Sequence, residues 1–427
     1  MENIATNPTC PNCGAPGMQI FHRAKNVPTN SCILLETRVD ALAYPRGDIA
    51  LGFCSTCGFV SNTSFDPRLT EYSGRYEETQ GFSPTFQRFH HDLAERLITR
   101  FGLAGKDILE IGCGKGEFLL LLCEGGRNRG VGFDPSYRSE RHAPAPGENV
   151  RFVQDVYSEK YARTSADFVC CKMTLEHIGA TADFIGMVRR ALGDSPATVF
   201  FMVPDTTRII EDCAFEDIYY EHCSYFSPAS LGYLFLSQGF RPMGVDSEFD
   251  GQYLTITAKN TPVTSASPIA KEDQRDGLLG DDWLKNVVIP GVSDDSAERF
   301  GSSIESFPSA FTRKVNYWRE RMTDNERRGR KAVIWGSGSK GVAFLTTLGL
   351  GEEIACAVDV NPHRQGFFMP GTGHRIVGPE ALRDVRPDAV IVMNPIYRAE
   401  IGEQLRRLGL DPELLTVADS CDDRSRM

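Results

Sequence analysis

The chain has 427 residues, 41% apolar and 24% charged. That is the balance of a globular protein rather than a disordered one, long enough for about three domains. Its net charge of −11 comes from 46 Lys and Arg against 57 Asp and Glu, which argues against a general nucleic-acid binder, because neutralising phosphates takes a basic face. No apolar run approaches the roughly 20 residues of a membrane-spanning helix. The opening MENIATNPTC lacks the basic and apolar regions of a secretory signal. A cytoplasmic location is expected, with neither a nucleic-acid nor a membrane partner.

In chain order, the first feature is a set of cysteines. The chain holds 13, an odd number without a signal peptide, which reads as reduced thiols rather than a disulfide framework. Cys10, Cys13, Cys54 and Cys57 form two C-x2-C pairs, each followed by glycine (Gly14 and Gly58). Two such turns supply four thiolates, the closed tetrahedral set of a structural Zn2+ site. A zinc-binding β module is predicted over residues 1–70.

A loop from Tyr72 to Phe82 follows. Ser83-Pro84 then reads as an N-cap with proline at the first helical position, opening a helix with Phe86, Phe89, Leu93, Leu97 and Ile98 on one stripe. From Asp107 short apolar strands alternate with helices, the pattern of a parallel sheet covered on both faces. The segment GQYLTITA at 251–258 reads as an antiparallel strand closing the edge of that sheet. Residues 260–295 are rich in Ser, Pro, Asp and Gly, as in a linker. A long amphipathic helix is predicted from Ser296 to about Arg328, then a second strand–glycine–helix unit. The predicted domains are 1–70, 71–260, a linker with the start of the long helix at 261–310, and 311–427. The fold class is α/β, a zinc module followed by two Rossmann-like domains.

Within the first unit, ILEIGCGKG places Gly112, Gly114 and Gly116 between strand and helix, with Glu110 two residues ahead of Gly112. This is neither the GxGxxG of dinucleotide folds nor a P-loop, since no Ser or Thr follows Lys115. It resembles the first motif of class I S-adenosylmethionine methyltransferases. Asp134, ending the second strand, suits the ribose hydroxyls of that cofactor, and Asp155, after the third strand, its adenine amino group.

After the fourth strand comes Met173-Thr-Leu-Glu-His177, and farther on Tyr219-Tyr-Glu221-His222. Two histidines and several tyrosines at one sheet edge suit removal of a proton beside a carbonyl: histidine is a base near neutral pH, and a tyrosine donor steadies the enolate oxygen. In the second unit, the loop Gly336-Ser-Gly-Ser-Lys340-Gly lies between strand and helix, where backbone N–H groups bind anions. Lys340 adds a point charge there, and Asn394 ends a later strand facing the same crevice.

With these residues in view, the chain resembles the sugar C-methyltransferase family, which acts on nucleotide-linked 4-keto deoxysugars. The paired CxxC, EIGCGKG, LEHI, IYYEHCSYFS, WGSGSKG, VDVNPHRQGFFMPGTGHRIVGPEAL and RPDAVIVMNPIYRAEI carry the resemblance across nearly the whole chain. It implies that His222 is the base, with Glu221 beside it. Tyr219 is then expected near the keto oxygen, His177 near the reacting carbon and Tyr76 in the preceding loop. It also implies that the C-terminal domain, where Lys340 and Asn394 stand, helps hold the substrate's nucleotide diphosphate. The chain departs from the family where GCGKG replaces GCNDG and WGSGSKG replaces YGAxxKG, which bears on the acceptor. The rival readings are an O- or N-methyltransferase of another natural-product or glycan acceptor, and a non-catalytic scaffold.

Overall fold

The computed structural model describes residues 8–141, 149–162, 164, 166–260 and 296–419. The predicted linker over 261–295 lies outside them.

Three sheets organise the described residues. The first is antiparallel, in the spatial order Gln19–Pro28, Arg46–Phe53, Val60–Asn62, Ser224–Tyr225. Its last strand comes from far along the chain, two residues beyond His222. The N-terminal module is therefore sewn directly onto the segment that carries the histidine.

The second sheet has seven strands. Its order is Arg241–Glu248, Tyr253–Lys259, Thr198–Pro204, Phe168–Lys172, Asp107–Ile111, Arg129–Phe133, Val150–Val153. The last five run parallel, Tyr253–Lys259 is antiparallel to both of its neighbours, and Arg241–Glu248 therefore runs in the same direction as the five. The expected edge strand is thus an interior one. Tyr253–Lys259 pairs on both sides, and Arg241–Glu248 forms the edge. Pro242 and Gly244 hide that edge strand from a propensity reading, and the register shifts between them. Both residues are tolerated at a bulged edge because no neighbour beyond needs their hydrogen bonds.

The third sheet is wholly parallel, in the order Ile376–Val377, Ile354–Val358, Ala332–Trp335, Ala389–Val392, Glu413–Thr416. In both parallel sheets the strand before the glycine loop lies between the second and the fourth strand of its unit. A crevice therefore opens at the carboxyl end of that strand, the position where doubly wound sheets bind ligands.

The helix Pro84–Phe101 begins with Ser83 accepting from Phe86 N and ends at Gly102 in the left-handed region. Its buried face is Phe86, His90, Leu93, Ala94 and Leu97, with Phe89 and Ile98 half-buried. The long helix Ser296–Arg327 runs without a break through position 310. Phe300, Ile304 and Phe307 pack with the N-terminal sheet. Val315, Trp318 and Met322 pack into the core of the third sheet. One helix so joins the first and last units. Cys10, Met18, Cys54, Cys57 and Phe59 share a core with Phe226, Leu231 and Leu234, which fixes the cysteine turns to the central domain.

Candidate active site

One cavity of about 560 Å3 lies where the two crevices face each other. Both glycine loops line it, together with the loop after Tyr72 and the segment around Tyr219 and His222.

At the central sheet, Gly112 has φ +70°, and a Cβ there would sit 1.9 Å from Thr174 Oγ1. Only glycine keeps the backbone in that close turn. Gly112 and Gly114 line the cavity. Gly116 does not; a Cβ on it would meet the Phe152 ring at 2.5 Å, so its role is packing. Asp134 lines the cavity and accepts from Gly114 N at 2.9 Å and Ser136 N at 2.7 Å. Asp155 also lines it, and its carboxylate takes Tyr161 OH at 2.6 Å and the Lys160 ammonium. The loop leaves an open cradle closed on one side by a carboxylate, which fits a nucleoside with free hydroxyls. Glu110, expected at the cofactor, is absent from the lining. It is buried 3.5 Å from Nζ of Lys172, which does line the cavity, so Glu110 stands behind a lining residue.

Lys115, unassigned by motif reasoning, is buried and ties this loop to its neighbours. Its Nζ donates to Tyr76 O at 2.7 Å, Ser136 O at 2.9 Å and Glu78 Oε2 at 3.2 Å.

The histidines meet at the centre. Their rings are 4.8 Å apart. His222 Nε2 is 2.8 Å from Tyr219 OH. His177 Nδ1 is 2.9 Å from Tyr72 OH and 3.1 Å from Glu221 O. Burial pushes His177 down to about 4 and His222 well below the usual histidine range. Both rings are therefore neutral at pH 7, with lone pairs available.

Glu221 does not orient the ring of His222, nor does it line the cavity. Its carboxylate is fully buried and accepts from Asn30 Nδ2 at 3.0 Å, Ser31 N at 3.1 Å and Tyr76 OH at 3.1 Å. It locks the N-terminal module and Tyr76 to the site. Tyr76 still lines the cavity, but its hydroxyl proton is committed to Glu221.

At the C-terminal end, Lys340 pairs with Asp217, which also takes Arg208 Nη1 at 3.0 Å. Asn394 lines the cavity and accepts from Gln252 Nε2 at 3.1 Å. Three residues here had no assigned role in the motif reading. Arg364 is buried, lines the cavity, donates through Nη2 to Ser337 O at 3.0 Å and sets Nε 3.8 Å from Asp359 Oδ2, an ion pair without a hydrogen bond. Asp359 accepts from Ser337 N at 3.1 Å, and Asn361 N donates to it at 2.9 Å. Their signal is the strand-ending string VDVNPHR. Glu176 and Tyr72 were also passed over, although each stands in a segment already singled out.

Apart from this cavity, Cys10, Cys13, Cys54 and Cys57 bring their four sulfurs within 4.8 Å of one another. The Cys10–Cys57 and Cys13–Cys54 separations are 3.8 Å and 3.6 Å. A tetrahedron with metal–sulfur bonds of about 2.3 Å has edges of about 3.8 Å, so the donor set fits Zn2+.

A "Methyltransferase domain" family matches residues 86–243, and a "C-methyltransferase C-terminal domain" family matches 298–410. The chain is 26% identical over 341 residues to C-methyltransferase NovU of Streptomyces niveus, covering 77% of this chain and 76% of that protein. It is 35% identical over 82 residues to the ubiquinone biosynthesis O-methyltransferase of Escherichia coli O7:K1, 18% of this chain and 34% of that one. Among solved structures, Burkholderia thailandensis 1,6-didemethyltoxoflavin-N1-methyltransferase is similar over 43% of this chain and 80% of its own, at 19% identity and TM-score 0.31.

Proposed function

The chain belongs to the S-adenosylmethionine-dependent C-methyltransferase family, and from that premise we propose that it methylates a carbon beside the carbonyl of a nucleotide-linked keto deoxysugar. The observation that carries this reading is a neutral, buried His222 held against Tyr219 in a cavity that spans both glycine loops.

S-adenosylmethionine supplies an electrophilic methyl group when bound. The backbone of Gly112 and Gly114 holds it, with Asp134 as acceptor for the ribose and Asp155 at the far wall. Nε2 of His222 is engaged by Tyr219, which leaves Nδ1 to take the acceptor's α-proton. In the tautomer where Nε2–H donates to Tyr219, the tyrosine's own proton is free for the carbonyl oxygen. Burial holds the Tyr219 hydroxyl well above its usual range, so it stays a donor as charge develops on that oxygen. His177 is fixed by Tyr72 and the Glu221 carbonyl, and positions the acceptor beside His222.

The opposite end of the cavity suits an anion. Lys340 and Arg208 converge on Asp217, Arg208 also lies 3.8 Å from Asp212, and the buried guanidinium of Arg364 stands 3.8 Å from Asp359, which gathers three cationic donors along the cavity wall. A diphosphate fits these groups together with the N–H groups of the Gly336 loop. Asn394 stands at the same end. Zn2+ on the four cysteines holds the N-terminal module in shape, away from this chemistry.

The test is hydrogen exchange. A panel of nucleotide-linked 4-keto deoxysugars is incubated with the protein in deuterated water without methyl donor. The expected result is deuterium beside the carbonyl of at least one. Methylation of a hydroxyl with no exchange overturns the reading in favour of an O-methyltransferase.

A further inference from the structure

Among the buried carboxyls that the proposed step does not use, Glu176 stands beside the base itself. Glu176 is 1% exposed and lines the cavity. Neither side-chain oxygen has a hydrogen-bond partner among the described residues. A carboxyl stripped of both water and donors is destabilising, so its retention at the centre of a site calls for a physical reason.

Its placement is tightly determined. Glu176 sits in the single 3-10 turn Leu175–His177 after the central strand Phe168–Lys172. Cys223 N donates to Glu176 O at 3.0 Å, which clamps this turn to the segment carrying His222. The side chain is thereby delivered to the imidazole: Glu176 Oε1 lies 3.9 Å from His222 Nε2. That is long for a hydrogen bond to a neutral ring but within the range of an ion pair with a charged one.

We propose that Glu176 is the counter-charge of the base, its carboxylate stabilising the imidazolium that forms when His222 takes the acceptor's proton. This rests on the reading of His222 as that base. In the step, the C–H bond beside the carbonyl breaks and its electron pair stays on the acceptor as the enolate. The proton forms an N–H bond at His222 Nδ1. Nothing is transferred to Glu176, which acts through His222 and is a positioning residue. The arrangement follows the logic of a Ser-His-Asp triad, in which one ring nitrogen does the chemistry while a carboxylate faces the other.

Ionisation of Glu176 controls the device. Burial pushes its carboxyl up to about 8. The groups that face it are His177 and His222 from the two active-site turns, and Tyr72, Tyr219 and Tyr253 from the loops and the sheet. Cys171 lies below and Cys223 beside it. All are neutral at pH 7, and among the described residues no lysine or arginine pairs with it. Below about pH 8 the carboxyl is protonated and offers His222 no counter-charge. Proton abstraction therefore rises with pH through that range.

Histidine-labelled full-length protein tests this without any substrate. In nitrogen-15 spectra from pH 6 to 9.5, the His222 ring signals, assigned with His222→Gln, are expected to step with a midpoint near pH 8. The step should vanish in Glu176→Gln and persist, displaced, in Glu176→Asp. A wild-type titration with no step, or a step that survives in Glu176→Gln, overturns the proposal, and the wild-type result stands even where a variant fails to fold. The exchange assay separates the two readings. If no nucleotide sugar exchanges while the spectral step is present, the substrate assignment falls and the counter-charge stands. If wild type exchanges and Glu176→Gln matches its rate and pH profile, the counter-charge falls.

Discussion

Replacing Glu176 by glutamine should stabilise the protein increasingly as the pH is raised. Glu176 has an ordinary value of 4.5 and is pushed up to about 8 in the fold. Between those values the folded chain keeps a proton that the unfolded chain has released. Stability follows the difference in bound protons, so this group's contribution is fully present below pH 4.5 and is lost as the pH rises through about 8. From pH 5.5 to 8.5 the loss spans about 2.5 pH units at up to about 1.4 kcal/mol each and tapers as the folded group titrates near pH 8, or about 3 kcal/mol in all. Glutamine fills nearly the same volume and does not titrate. Whatever it costs or contributes through packing is the same at both pH values and cancels. Urea unfolding of wild type and Glu176→Gln at pH 5.5 and pH 8.5 reads the effect directly. The stability difference between the two proteins should move by about 3 kcal/mol in favour of the variant at the higher pH. A difference that stays constant across that range would refute the burial argument, because it would mean that the carboxyl titrates alike in both states.

Other outcomes follow from the same geometry. His222→Asn should abolish α-proton exchange while S-adenosylhomocysteine still binds by calorimetry; Tyr219→Phe should slow exchange by about 10²-fold, the scale of losing one oxyanion donor. Asp134→Ala removes a carboxylate that also orients Gly114 N and Ser136 N. It should weaken S-adenosylhomocysteine by about 2–3 kcal/mol, the scale of hydrogen bonds to a charged group, and unchanged calorimetric affinity would remove Asp134 from the cofactor site. Metal analysis should find one zinc per chain, and Cys54→Ser should lose it and lower the melting temperature, since structural zinc contributes folding free energy directly.

Much of this protein is legible from local pattern. Two C-x2-C turns need only a few residues each to announce four convergent thiolates, and the sulfurs do converge. The glycines at 112 and 114 declare a close backbone turn that no side chain tolerates. Ser83, Pro84 and Gly102 mark both ends of a helix because capping is decided within one turn of chain. The alternation from Asp107 onward implies a parallel sheet, and hence which edge carries the site.

What local pattern does not contain is the direction of a side chain once the backbone leaves regular structure, or the partner it meets there. Glu110 and Glu221 stand in the right motifs yet neither lines the cavity: one pairs with Lys172 and the other accepts from Asn30, Ser31 and Tyr76. Lys340 answers to Asp217, more than a hundred residues earlier. Arg241–Glu248 becomes an edge strand in spite of Pro242 because pairing with a neighbour outweighs intrinsic propensity. Glu176 reads from sequence as one more polar residue in a turn. Only the closing of the Tyr219–Cys223 segment over that turn removes its water, raises its proton affinity and sets it 3.9 Å from His222. Burial and proximity are properties of packing between segments remote in the chain, and the tertiary structure alone decides them.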